Sequence, residues 1–347
     1  MYISGTGSYL PGEKAVTNEM LSNIFGSSVS LMGDYFGVTS RYFTVDYQTG
    51  EYAGEFNSDF CIKAAEMALK KTDLKPKDIG LIICSTNTPD TILPQVSASV
   101  QEKLQIPQSI ILDIRGGCSS PLQSVLIAKS FIQNGLVNNA LIIGSECFST
   151  IYYPYLLKHR KDFLAKDLMN SLIFGDGAAA FLMTKEKVSE DAFIVKEVVS
   201  RSTNANLPPG FVVSLGGSKI KHYGEQDLPL GELMKLYPKN LERYLPKQIE
   251  LLFKEISKQG FNLGDFKYTV GPQANKRLVF SLDAMFKKEA SNYFYYGDVT
   301  GNVPGGALLL AFDKLISTKP IQSKEQILLM GVESPKWVDG YCVLEKV

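Results

Sequence analysis

Apolar residues along this chain follow two spacings that alternate from end to end. Ile79 to Cys84 and Ala140 to Ile143 are short, nearly continuous apolar runs, as expected for strands covered on both faces, and Ser109 to Ile114 is a β-branched, strand-like run. Between them, apolar residues recur every three or four positions. Asp59 to Lys71, with Phe60, Ala64, Met67 and Leu69, predicts a helix, as do Ala98 to Leu104 and Leu122 to Gln133. Leu74-Lys75-Pro76-Lys77-Asp78 reads as a polar connector. The order then recurs: a helix over Pro246 to Gln259, a connector at Asn262 to Asp265 and a strand at Lys267 to Val270. A glycine-rich turn at Gly301 to Gly306, an apolar helix at Ala307 to Leu315 and a strand at Ile327 to Met330 complete it. Strand and helix in alternation, twice over, predict an α/β protein of two similar halves.

Composition narrows the function. Of 347 residues, 36 are basic and 36 acidic, so the basic excess of a nucleic-acid binder is missing. The five cysteines are scattered and form no C-x-x-C pair, which argues against a disulfide framework or a structural zinc and for a reducing compartment. Tyr2-Ile3-Ser4-Gly5 has no signal-peptide pattern, and no apolar stretch approaches the roughly 18 residues of a membrane span. The expectation is a cytoplasmic protein with no membrane association. Thr150 to Lys166, rich in tyrosine and basic residues, and Leu207 to Lys235, rich in proline and glycine, read as surface elaborations.

Cys118 carries the candidate chemistry. It lies in Arg115-Gly116-Gly117-Cys118-Ser119-Ser120-Pro121, where a strand gives way to a helix. The glycines permit a sharp turn, and a helix beginning near Ser120 points its N–H groups at the sulfur. That placement is expected to favour thiolate, and so nucleophilic attack.

These segments resemble the β-ketoacyl-acyl carrier protein synthase III family, of the thiolase fold. The resemblance rests on Gly5-Thr6-Gly7, Ile82 to Asp90 followed by Pro94, Gly117-Cys118-Ser119, Gly144-Ser145-Glu146, Phe174-Gly175-Asp176-Gly177, Gln273-Ala274-Asn275 and Gly301-Asn302, in that order. It implies a five-layered α/β/α/β/α architecture, with halves at 1–186 and 187–347, usually as a homodimer. It implies an enzyme that needs no cofactor or metal and takes an acyl group from acyl carrier protein or coenzyme A onto Cys118. The Cys118 N–H would then form part of an oxyanion hole, with Ser334 as the positional match for its second donor. Arg277 and Lys276 fall where the family docks its acidic carrier protein, Lys287 and Lys288 could extend that patch, and Leu93 is a further substrate or carrier contact.

The chain departs from the family at its catalytic histidine, whose position holds Pro272, while Asn302 is kept. Proline has neither a side-chain donor nor an N–H, so half of the pair that holds the enolate formed from malonyl thioester is gone. Losing one such donor costs roughly 100- to 1000-fold in rate. The expected function is transfer of the Cys118 acyl group to an acceptor that needs no decarboxylation: an alcohol, an amine or an activated carbon. Glu333, which replaces a residue of a glycine-rich loop, is a weak candidate base. Two alternatives are a decarboxylative synthase in which His159 or His222 stands in for the missing histidine, and a non-catalytic subunit paired with a partner ketosynthase. The tryptophan and arginine that bind coenzyme A in the family are absent from Leu31 to Phe36, which favours a carrier-bound donor.

Overall fold

A computed structural model describes residues 1–12, 14–161, 167–168, 172–214, 234–274, 276 and 292–347. The chain opens with β1 (Tyr2–Tyr9), a short pair β2 (Val16–Thr17) and β3 (Ser40–Arg41), and helices α1 (Asn18–Phe25) and α2 (Ser28–Phe36). Then follow α3 (Asn57–Leu69), β4 (Leu81–Ser85), α4 (Val96–Lys103), β5 (Ile110–Ile114), α5 (Ser120–Gln133), β6 (Asn139–Glu146), α6 (Ser149–Lys158) and β7 (Gly177–Thr184). The remainder comprises β8 (Phe193–Ser202), the pair β9 (Phe211–Val213) and β10 (Met234–Leu236), α7 (Pro238–Lys258) and β11 (Tyr268–Val270). It closes with α8 (Gly297–Thr300), α9 (Ala307–Thr318), β12 (Gln326–Val332) and β13 (Val338–Lys346).

The main strands run in the order β11-β12-β13-β8-β1-β7-β6-β4-β5. β1 joins the two halves: it pairs antiparallel with β7 along its length and with β8 at Tyr2 and Ile3. The pleat sorts side chains to opposite faces, and each face meets a different helix layer. On β4, Leu81 and Ile83 face one core with α5 and α9, whereas Ile82 and Cys84 face α3 and α4. On β12, Ile327 and Leu329 join α5 and α9, whereas Leu328 and Met330 meet Leu245, Ile249, Leu252 and Ile256 of α7. The layers are thus α3/α4, half-sheet, α5/α9, half-sheet, α7. Strands buried on both sides explain why the sequence reads as unbroken apolar runs rather than alternation.

Two expectations change. α7 begins eight residues before the expected start at Pro246, which lies inside the helix. Thr150 to Lys166 is not a surface elaboration over its first turns, since Tyr152, Tyr153 and Leu156 of α6 are buried in a core with Phe43 and Phe148. Residues 162–166, and the larger part of the expected Leu207–Lys235 elaboration, lie outside the described residues; its edges form the β9–β10 pair. Among the described residues, no helix is long and apolar enough to cross a membrane.

Phe312 of α9 shows how the middle layer binds the halves. Its ring meets Phe181 of β7 and Phe193 of β8, each with centroids 5.2 Å apart. Phe312→Ala is expected to cost about 3–5 kcal/mol, read as a lower urea midpoint by the fluorescence of Trp337, the sole tryptophan, on the far half-sheet.

Candidate active site

The parallel strands β4, β5 and β6 on one side and β11 and β12 on the other end at the same place, so the loops following them converge. Ligands bind outside the carboxyl ends of strands in α/β sheets, and the candidate residues are there. After β5 the chain turns at Gly117, whose φ of +55° suits glycine, and a single 3-10 turn, Gly117–Ser119, leads into α5. Cys118 keeps part of its surface accessible, while the other four cysteines are buried.

Asn302 comes from the second half and is held by the first. It bridges in parallel to Phe174, with its N–H donating to the Ile173 carbonyl at 2.7 Å and its carbonyl accepting from the Gly175 N–H at 3.0 Å. Three residues on, Gly305 is wedged against the ends of β4 and β6. A Cβ on Gly144 would lie 2.0 Å from the Gly305 carbonyl oxygen, so the strand end must be bare there. The buried carboxylate of Glu146 accepts the Gly305 N–H at 3.0 Å, the Asn87 N–H at 3.1 Å, the Asn87 amide at 2.6 Å and the Thr88 hydroxyl at 2.7 Å. This seam sets the Asn302 amide beside Cys118, where it acts to lower the pKa of the thiol.

Glu333 approaches from the end of β12. A Cβ on Gly117 would be 3.3 Å from the Glu333 Cβ and 3.4 Å from its Oε2. Its Oε1 accepts the Lys336 N–H at 2.9 Å and the Val338 N–H at 3.0 Å, which locks the side chain and leaves Oε2 on the nucleophile turn. Ser334 follows directly, its carbonyl accepting the Gly210 N–H at 2.9 Å. Pro272 lies two residues past β11, where the register Val270↔Leu329 carries it alongside Gly331, and a Cβ on Gly331 would lie 3.0 Å from the Cys118 carbonyl oxygen. Its own carbonyl accepts the Tyr293 hydroxyl at 3.3 Å.

Electrostatics corrects the expectation of a thiolate. Burial, then the carboxylates of Glu333 and Glu146, push the Cys118 thiol up to about 12. Its own N–H and the Asn302 amide act the other way and are outweighed. Burial also raises the Glu333 carboxyl and pushes Glu146 up to about 7, against the donors that surround it. The resting sulfur is a thiol that needs a proton acceptor.

Among the described residues, the charges acting on Cys118 are carboxylates, and no imidazole figures among them. His159 stacks on Tyr155 with ring centroids 4.4 Å apart, at the end of α6. Lys276 forms an ion pair with Asp298 at 3.0 Å, so part of its charge is satisfied within the chain. Leu93, 79% exposed, lies beside Ile92 on the loop after β4. Arg277, Lys287, Lys288 and His222 lie outside the described residues. Sequence reasoning missed the roles of Glu146 and Tyr293. An acid closing the apolar run Ala140 to Ile143 was a usable signal for the first; Tyr293, in an aromatic run, offered none.

The family profile described as 3-Oxoacyl-[acyl-carrier-protein (ACP)] synthase III matches residues 112–202, which include the Cys118 turn. A Beta-ketoacyl-[acyl-carrier-protein] synthase III of Clostridium botulinum is 26% identical over 345 residues, 99% of this chain and 98% of that protein. Among solved structures, the tetronic acid condensing enzyme AbyA1 superposes with a TM-score of 0.87 at 22% identity, covering 99% of this chain and 100% of its own. The 3-oxoacyl-[acyl-carrier-protein] synthase III of Aquifex aeolicus gives a TM-score of 0.79 at 22% identity, covering 99% of both chains. Layering, strand order and end-to-end similarity agree: the chain has the thiolase fold and is similar over its whole length to β-ketoacyl-acyl carrier protein synthases III.

Proposed function

We propose that this protein is an acyltransferase of the condensing-enzyme type that passes an acyl group from Cys118 to an acceptor without decarboxylating a malonyl thioester. The observation that carries this reading is the free Glu333 Oε2 on the nucleophile turn, in a site with a proline where the family has its histidine. A malonyl carboxylate would have to enter beside Glu333 and Glu146, like charges to its own, and its enolate would find one donor, Asn302, in place of two.

In the first half-reaction the Cys118 thiol gives its proton to Glu333, Sγ bonds to the thioester carbon, and the donor C–S bond breaks. Glu333 then protonates the departing coenzyme A or carrier thiolate. The N–H groups of Cys118 and Ser334 hold the developing oxyanion. In the second, Glu333 takes a proton from the acceptor's O–H or activated C–H, a C–O or C–C bond forms, and the C–Sγ bond breaks. Glu333 returns the proton to sulfur, and neither carbon dioxide nor electrons are exchanged. The donor arrives on acyl carrier protein or coenzyme A, with Leu93 and the Lys276–Arg277 segment as its contacts, and the chain works as a homodimer in the cytoplasm.

Intact-mass measurement with acyl-coenzyme A and acyl-carrier protein is expected to show an acyl adduct that Cys118→Ala abolishes, with carbon dioxide release from malonyl-carrier protein at background. Rapid release by the acylated enzyme would overturn the reading.

The raised thiol sets two further expectations. Alkylation of Cys118 by iodoacetamide should climb through pH 7 to 10 without a plateau, because the thiolate fraction keeps growing until the pH reaches about 12; a plateau below pH 8 would contradict it. Glu333→Gln should move two rates in opposite directions. Removing the like charge eases ionisation and speeds alkylation at pH 8 by roughly tenfold. Acyl transfer should slow by about 100-fold or more with its base removed.

A further inference from the structure

We propose that the acceptor substrate carries a hydroxyl group, as an alcohol or an enol, whose hydrogen is received by Oδ1 of Asn302. The proposal rests on the acyl-transfer reading above and names the substrate class it leaves open. Asn302 is 5% exposed, and its Oδ1 is buried with no partner among the described residues. The Asn302 amide acts on the Cys118 sulfur and lowers its pKa, while the oxygen is the buried atom without a partner. The residue cannot withdraw to hide it, because its N–H and carbonyl are both tied to the segment around Phe174. Buried polar atoms are nearly always satisfied, and an orphan aimed at a reaction centre calls for a ligand atom.

The neighbouring polar atoms fix the kind of ligand. Glu333 has one oxygen filled by two N–H groups, which leaves Oε2 as a second open acceptor. Pro272 offers no donor, and its carbonyl accepts from Tyr293. This side of the sulfur therefore presents acceptors. A thioester carbonyl or a carboxylate would add more acceptors and satisfy none of these. An ammonium would supply hydrogens and be attracted by Glu333 and Glu146, but it would lose its solvation on entering the buried site, and in that form it has no lone pair with which to attack the acyl carbon. A neutral hydroxyl supplies its hydrogen at no such cost. A site built to bond a substrate hydroxyl discriminates strongly against the analogue lacking it, because the protein atom is then left unpaired.

The test uses pantetheine analogues in which nitrogen replaces the thioester sulfur, so that Cys118 cannot be acylated. They carry butanoyl, 2-hydroxybutanoyl, 3-hydroxybutanoyl or 3-aminobutanoyl groups, and binding is measured by titration calorimetry on the intact protein. At least one hydroxy analogue is expected to bind about 10- to 100-fold more tightly than the butanoyl analogue. Asn302→Leu should erase that preference, and Asn302→Asp, which keeps an acceptor oxygen, should retain it. Equal binding of the hydroxy and butanoyl analogues, tightest binding of the amino analogue, or loss of the preference in Asn302→Asp each overturns the proposal. If Asn302→Leu does not fold, the wild-type comparison and Asn302→Asp still decide. Equal binding alongside a normal Cys118 adduct defeats the hydroxyl alone; a clear preference with no adduct defeats the acyl-transfer reading alone.

Discussion

Glu146 is an acid buried away from bulk solvent, and the two halves of the molecule meet around it. Its carboxylate gathers Asn87 and Thr88 from the loop after β4 and Gly305 from the turn before α9. A buried carboxylate is tolerable only if its oxygens are well supplied with donors, so that supply is also a geometric specification. Gly305 must come close enough to donate, Gly144 must be bare to let it, and Asn302 is thereby carried to the sulfur.

The same carboxylate shapes the chemistry. Together with Glu333 it makes the surroundings of Cys118 negative, so the sulfur waits as a thiol rather than a thiolate. The start of a helix is not enough to reverse this. Its effect is limited to about 2 kcal/mol even in favourable, partly buried settings, whereas burial and two nearby acids act together in the other direction. An idle protonated thiol is also slower to react with stray electrophiles and oxidants, which attack the thiolate.

Much of this was legible in the residue order. Continuous apolar runs marked β4 and β6 because both faces are covered, a β-branched run marked the partly exposed edge strand β5, and the glycines before Cys118 marked the turn. The proline at 272 declared itself as a missing donor. What could not be read was anything that depends on approach between distant segments. That Asn302 belongs to the Cys118 site was expected only by resemblance, and the field of Glu146 and Glu333 on the sulfur arises from three chain segments that sequence spacing does not relate. α6 was misjudged for a related reason: its tyrosines and basic residues look solvated in a list, yet Tyr152 and Tyr153 direct their hydroxyls to the carbonyls of Phe174 and Tyr47 and bury their rings.

The nucleophile and the asparagine each sit just ahead of a helix of the middle layer, Cys118 before α5 and Asn302 before α9. Those two helices share the layer between the half-sheets, and their first turns, next to the site, are buried with little room to relieve a change in volume. A slip of one along the other would be transmitted straight to the gap between sulfur and amide. Turnover is therefore a fine gauge of how the interior is packed, and damage deep in the sandwich should blunt catalysis well before it melts the protein.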